Sequence, residues 1–334
     1  MIATLLKRQA TALPILLIVS ALLFTALRLL PVDPAAMSMP PNATKAEVEA
    51  ARVAMGLDRP LPEQYAIWIG QVAHGDLGRS IHVRRPVSTL LADTLPATIE
   101  LAVAAMLIAG SLGLSGGLIL FALRGNKAEP LAETATTLMM SVPEFLWALL
   151  FIFVFGVALQ ALPFTGRLDP GISRPVLTGF LLFDAAWLGQ WKAFASALLH
   201  LVLPAAALGI AFAPPIMRVL RASLIDIYHE DYIRQARLRG LSETRILLFH
   251  ALQNAGLPTL TLMGVQFGIL FGGSLLIEVI YAYPGMGNLM VDAVRNADLP
   301  IIQAVGLTYC IVVLTINAVV DALYHVINPR LRAR

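Results

Sequence analysis

The sequence predicts an all-α integral membrane protein with six transmembrane helices and both termini in the cytosol. Composition is the first reason. Of 334 residues, 58% are hydrophobic and only 13% charged, too apolar for a water-soluble domain. Length is the second, because several apolar runs reach the roughly 20 residues that a helix needs to cross a bilayer. The third is where the cations fall. Net charge is only +3, and the basic residues gather in loops and tails, a pattern that sets membrane orientation rather than one that holds nucleic acid. The single cysteine, Cys310, lies inside an apolar run, so one chain forms neither a disulfide framework nor a Cys-based metal site. No Gly-Lys pair occurs. That removes the phosphate-cradling loop G-x-x-x-x-G-K-[ST], and any ATP that drives this protein is hydrolysed by another chain.

Taken in order, Lys7 and Arg8 precede an apolar run from about Thr11 to Pro31. It reads as an uncleaved first span over 1–31, because no small-x-small cleavage site closes it before Asp33-Pro34. Residues 32–94 are polar and proline-punctuated. They form an extracytoplasmic segment with a short helix from Thr44 to Met55, and Tyr65 and Trp68 are placed at the lipid interface. The remaining five spans occupy a core over 95–328. Span two starts after Leu95-Pro96-Ala97-Thr98-Ile99-Glu100-Leu101 and ends near Leu123, where Arg124 and Lys127 mark a cytosolic turn. Span three covers 131–162, with Ser141-Val142-Pro143-Glu144-Phe145 at its middle. A second outer stretch, 163–197, holds Trp187 and Trp191. Span four, 198–220, contains Pro204, Pro214 and Pro215, residues that bend a helix and free backbone carbonyls. Span five, 257–281, carries Gly264, Gly268, Gly272 and Gly273, a small-residue face that admits another helix closely. Residues 282–288 break the chain outside, and span six covers 299–327. Arg330, Arg332 and Arg334 hold the 329–334 tail in the cytosol.

A cytoplasmic loop, 221–256, separates spans four and five. From Asp231 to Pro258 it reads DYIRQARLRGLSETRILLFHALQNAGLP, with Arg234, Arg237, Arg239 and Arg245 on the side that the positive-inside rule assigns to the cytosol. Ile233, Ala236 and Leu241, then Leu247, Leu248, Ala251 and Leu252, recur at helical spacing and predict two short helices. Gly240 lies between them, where a helix ends in a left-handed residue that glycine adopts cheaply. Ser242 is an N-cap type for the second helix, although the capping-box Glu is missing.

These residues resemble the EAA-type coupling loop of binding-protein-dependent ABC importer permeases. The match is to the peptide/nickel (oligopeptide/dipeptide) branch, carried by Ala236-x-x-x-Gly240, by Leu257-Pro258 and by the fuller string around them. The Glu and first Ala of the general loop are replaced by Arg234 and Gln235, a departure that the peptide/nickel branch shares. The likeness covers nearly the whole chain. The strings Gly-Leu-Asp-x-Pro-Leu-x-x-Gln-Tyr and Gly75-Asp76-Leu77-Gly78-Arg79-Ser80 resemble the family's region after its first span. Glu278 through Gly287 is similar to its E-x-x-F-x-x-P-G-x-G string and Asp298-x-Pro300 to its D-x-P, while Asn328-Pro329-Arg330 stands where the family has Asp-Pro-Arg.

The resemblance implies a type I ABC importer permease of the bacterial inner membrane, without cofactor or ATPase site of its own. It implies pairing with a second, homologous permease, two ABC ATPase subunits and an extracytoplasmic substrate-binding protein. It also implies that Asp231, Tyr232, Arg234, Ala236, Arg237, Gly240, Leu241 and Pro258 belong to the ATPase-docking loop, with Ala236 and Gly240 letting its two helices pack closely. The bland alternative is a basic loop held by anionic membrane lipid. Di- and oligopeptides are the implied cargo; nickel chelates, glutathione and certain oligosaccharides are carried by permeases of the same kind.

Three constellations remain. Gly113-Leu114-Ser115-Gly116 matches the G-x-S-G string of intramembrane serine proteases, but a serine nucleophile needs a base such as His within reach, and small-residue packing explains the string better. Glu144 reads as a carboxylate at the centre of span three, where ionisable groups face a cavity or a partner. With Ser141 and Pro143 it is a candidate for the substrate pathway; a hydrogen-bonded structural role beside the Pro143 kink stays open. The six histidines (His74, His82, His200, His229, His250 and His325) are scattered over loops and span ends. They supply no metal cluster, and Met139-Met140 alone is more readily packing than a soft-metal step.

Overall fold

The computed structural model describes residues 2–29, 33–40 and 42–327. The tail arginines and Asn328-Pro329-Arg330 lie outside the described residues. All regular structure among those described is helical. The amino-terminal part comprises α1 (Ile2–Arg28) and three short helices, α2 (Pro34–Ser38), α3 (Lys45–Ala54) and α4 (Leu61–Ala73). The helix expected from Thr44 to Met55 is α3, flanked by those two residues as caps. Its start is a full capping box: the Thr44 hydroxyl accepts from the Glu47 N–H, and the Glu47 carboxylate accepts from the Thr44 N–H, two orphan donors satisfied reciprocally. Tyr65 and Trp68 of α4 pack their rings on Phe24 of α1, and the Tyr65 hydroxyl pairs with Ser20 at 2.8 Å. They clamp α4 to the first helix.

The core is built on α5 (Val87–Ala122) and α9 (Trp191–Tyr228), which make the most extensive helix pairing among the described residues. Small residues permit it. A Cβ on Gly113 would lie 2.5 Å from the Ile216 side chain, and one on Gly209 would lie 2.5 Å from Ile108 and 3.1 Å from the Ala105 carbonyl. Lipid gives two apolar helices no hydrophobic reason to associate, so van der Waals contact at such short range must supply the attraction. Gly113 and Gly116 therefore serve packing. Ser115 is exposed and donates to the Ser111 carbonyl at 2.6 Å; no base approaches it among the described residues.

The expected third span is not one helix. α6 (Glu129–Ser141) and α7 (Glu144–Phe151, continued as π-helix to Ala158) meet at 95°. The residue before a proline is driven out of the helical region, and Val142 sits at φ −92°, ψ 116°. Pro143 becomes the N-cap of α7 instead of a kink within a span.

Beyond it, α8 (Leu181–Trp187) lies before α9, which runs through all three of its prolines. α10 (Asp231–Leu238) and α11 (Glu243–Ile246) follow; a π-turn over Leu247–Ala251 joins α11 to α12 (Leu252–Ile280). The second loop helix and span five are thus one 38-residue helix from Glu243, and Pro258 falls inside it rather than at its start. α13 (Met286–Arg295) occupies the break after span five, and α14 (Leu299–Ile327) matches span six. Of the span-five glycines, Gly264 faces Val320 of α14, whereas Gly272 faces open space.

Among the described residues four helices are long and apolar enough to cross a membrane, or five with α6–α7 taken as one broken span. α1 contributes a shorter apolar stretch, Leu13–Arg28. Leu27, Val87, Leu299 and Met286 share one cluster, while Phe121, Leu224, Ile233 and Ala255 share another. The bundle therefore has a loop end carrying α10 and a far end where α1 stops and α5, α13 and α14 begin.

Gly209→Ala should lower stability by about 1–3 kcal/mol, the usual cost of overpacking a filled contact. Gly256→Ala, whose added methyl meets nothing within 4 Å, should be neutral or slightly stabilising. Thermal denaturation of the two purified variants in detergent checks the contrast.

Candidate functional site

At the loop end, α10 lies against the bundle through Ile233 and Ala236, both buried with Phe121, Leu220, Leu224 and Ile246. The opposite face is open. Asp231, Tyr232, Arg234 and Arg237 are exposed, and so is Leu238, at 82%. Polar contacts fix the loop from beneath: the Tyr232 hydroxyl accepts from Asn254 at 2.9 Å, and the Arg237 guanidinium donates to Glu243 at 2.6 Å while lying over the Tyr228 ring. Arg124 stacks on Phe121 and Tyr228 from the other side. Gly240 ends α10 at φ +76°, the left-handed conformation that its position between two helices suggests. No atom would meet a Cβ there. Its role is thus conformational, while Ala236 alone provides close packing. Leu241 tucks against the same cluster and its N–H bonds the Ala236 carbonyl. Ser242 takes the extended backbone of an N-cap without a side-chain bond. Pro258 is exposed on α12, away from this surface. Leu238, an apolar residue off the buried stripe, is the part of the surface that helical periodicity passes over; its signal was the mismatch itself.

Ser141, Pro143 and Glu144 come together at the right-angle bend, with Ser141 and Pro143 exposed and Glu144 half-buried. Glu144 occupies the first turn of α7, where a carboxylate interacts favourably with the helix dipole. It has no hydrogen-bond or ion-pair partner among the described residues. The expected carboxylate in the middle of a continuous span is thus a half-open group at a helix start.

Carboxylates that are fully enclosed lie at the far end. Glu278 accepts from the hydroxyls of Thr98 and Ser274 and from the N–H groups of Gly287 and Asn288, at 2.7–3.3 Å. Thr98 in turn accepts from the Met286 N–H. One side chain therefore ties α12 to α5 and caps α13. The glycines of the 278–287 string are needed for that approach: a Cβ on Gly287 would lie 2.5 Å from the Leu275 backbone. Nearby, Arg167 pairs with Glu100 at 2.5 Å, both nearly buried, and Glu100 also accepts from Leu182 N–H. Asp298 accepts from the Ser80 hydroxyl and the His82 N–H, fastening the 75–86 loop to α14. Asp184 of α8 is enclosed at the same end. Burial opposes its ionisation, but the Thr178 hydroxyl and the N–H groups of Leu177, Thr178 and Gly179 outweigh that and hold the carboxyl below its usual range.

Two family models match this chain. The binding-protein-dependent transport system inner membrane component matches residues 112–333, and its amino-terminal companion matches residues 1–102. The chain belongs to this family of permeases. It is 37% identical over 333 residues to the di/tripeptide transport system permease protein DppB of Pseudomonas aeruginosa, covering 99% of each. To the glutathione transport system permease protein GsiC of Escherichia coli it is 37% identical, covering 98% of this chain and 97% of the relative. Among solved structures, the inward-facing MetNI methionine ABC transporter matches at TM-score 0.56 and 15% identity, over 72% of this chain and 96% of that one. That likeness places the permease in the same all-helical fold. It is a multi-pass inner-membrane protein.

Arg167→Met should destabilise the permease by about 3–5 kcal/mol, because it strands the Glu100 carboxylate without its cation. Arg167→Met with Glu100→Leu should recover most of that loss in the same unfolding measurement. The Asp184 cap has a depressed folded pKa, so its contribution is complete above the unfolded value of about 3.9 and fades as pH falls through the folded one. Asp184→Asn should therefore flatten the acid limb of the stability profile.

Proposed function

We propose that this chain is a permease subunit of an ABC importer that passes di- and oligopeptides across the inner membrane, using ATP hydrolysed on separate subunits. The dipeptide permeases among its relatives support the cargo. Glutathione permeases match over a slightly shorter length and favour glutathione as the second reading; nickel chelates draw no such support. The observation that carries the mechanism is α10: a short helix seated by Ile233 and Ala236 and offering Leu238 with a ring of exposed polar residues outward. An exposed leucine on a rigid basic helix fits a groove on an ATPase subunit, with Asp231, Tyr232, Arg234 and Arg237 at the rim and Gly240 setting the turn. Closure of two ATPases would then move α10, and through the α10–α12 cluster the long helices α9 and α12.

In this reading both termini and the loop end face the cytosol, and the far end meets a substrate-binding protein. A second, homologous permease lies across the pathway. Ser141, Pro143 and Glu144 line that pathway at the α6–α7 bend, and α1 completes six spans.

Affinity-tagged chain drawn from native membranes in mild detergent should bring with it another permease and Walker-motif ATPases. Leu238→Asp should lose the ATPases and dipeptide uptake while keeping the second permease. Gly240→Arg should do the same, though it also strains a φ of +76°. A wild-type chain that purifies alone, or Leu238→Asp with normal uptake, refutes the docking reading.

A further inference from the structure

We infer that the cleft between α6 and α9 is a binding site for the phosphate of an anionic phospholipid headgroup in the leaflet at the loop end. A cavity of about 370 Å³ lies there, lined by Glu133, Thr136 and Thr137 of α6 and by Arg218 and Arg221 of α9, with Leu120 and Ile225 as its apolar wall. Its charges balance in number but not in place. Arg221 is offset twice, by Glu129 and by Glu133, the latter at 2.6 Å. Arg218 donates to the Thr137 hydroxyl at 2.8 Å and touches the Met140 sulfur, and it pairs with no carboxylate among the described residues. One guanidinium is thus held in place by a neutral hydroxyl with most of its donors unused. A planar fork of N–H groups in that state suits a phosphate.

Depth selects the source of the phosphate. Arg218 is 27 residues beyond Trp191, the first residue of α9, or about 40 Å along a helix rising 1.5 Å per residue. A bilayer measures about 40–45 Å with its headgroups and only about 30 Å in its hydrocarbon core. With Trp191 at one interface, Arg218 stands at the opposite headgroup level. A cation at that level that no carboxylate neutralises is placed to meet an anionic headgroup. Beside the cleft, Leu131 and Leu138 of α6 are 74% and 62% exposed, an apolar surface along which acyl chains can lie. The lipid would hold α6 against α9 where the protein itself leaves a gap.

The test uses the complete transporter complex, purified in mild detergent and examined by native mass spectrometry with added phosphatidylglycerol, phosphatidylcholine or inorganic phosphate. Wild type should retain phosphatidylglycerol in preference to phosphatidylcholine. Arg218→Gln should bind it about tenfold more weakly, as expected for loss of a charge-assisted contact, and Arg218→Lys should recover part of the loss. Arg174→Gln, an exposed cation in the far-end loop, should bind as wild type does. Equal retention by Arg218→Gln and wild type overturns the site. Displacement of the lipid by millimolar inorganic phosphate assigns the cleft to a free anion and overturns the lipid source.

Discussion

The close approach of α5 and α9 is the contact on which the remaining structure depends. In water two such helices would be pressed together by their apolar surface; in lipid they gain nothing by leaving the acyl chains. What remains is dispersion, which falls off steeply with any gap between surfaces. Gly113, Gly117 and Gly209 remove that gap, and Ile108, Ile216 and Leu220 fill the space that they leave. α12 and α7 then pack on the pair, contributing Leu270, Phe271 and Ala148 to the same core. α10 in turn rests on the last turns of α5 and α9 through Phe121 and Leu224. A change in the α5–α9 crossing therefore reaches the loop surface without any flexible intermediate.

The two ends of the bundle are built differently. The far end is knotted by buried polar groups: Glu278 and Asp184 each accept several hydrogen bonds, Glu100 pairs with Arg167, and one oxygen of Asp298 accepts two. Such networks penalise partial opening, since each freed group would be left unpaired. At the loop end the cluster under α10 is apolar, and the ion pair beside it, Arg237–Glu243, is exposed. Exposed pairs contribute little. The bundle is rigid where three segments return on themselves and more permissive where a partner would pull.

Much of this organisation was legible in the sequence. The apolar runs located α5, α9 and α14, and Gly240 marked the turn after α10, because both signals are local. The break at Val142–Pro143 was read as a kink, since an apolar run through a proline looks continuous when only composition is counted. The continuity of the second loop helix with span five was missed for the opposite reason: Asn254, Gly256 and Pro258 look like a break between two apolar segments, yet the helix runs through them. Buried carboxylates were the hardest to rank. Glu144 drew attention by its central position, yet position along a chain says nothing of partners. Glu278 has four donors only because Gly285 and Gly287 bring the next helix back over it. The pairing of Glu100 with Arg167, 67 residues apart, has no local signature at all.

The right-angle turn after α6 carries a further consequence. On either side of it Met140, Leu146, Leu149 and Phe153 are bare in the single chain, with the half-buried Glu144 between them. Lipid can cover the leucines but not a carboxylate, and water can cover the carboxylate but not the leucines. The surface is comfortable in neither solvent, so an unassembled copy is a poor resident of its own membrane. Whatever covers that face must therefore set apolar and polar groups side by side.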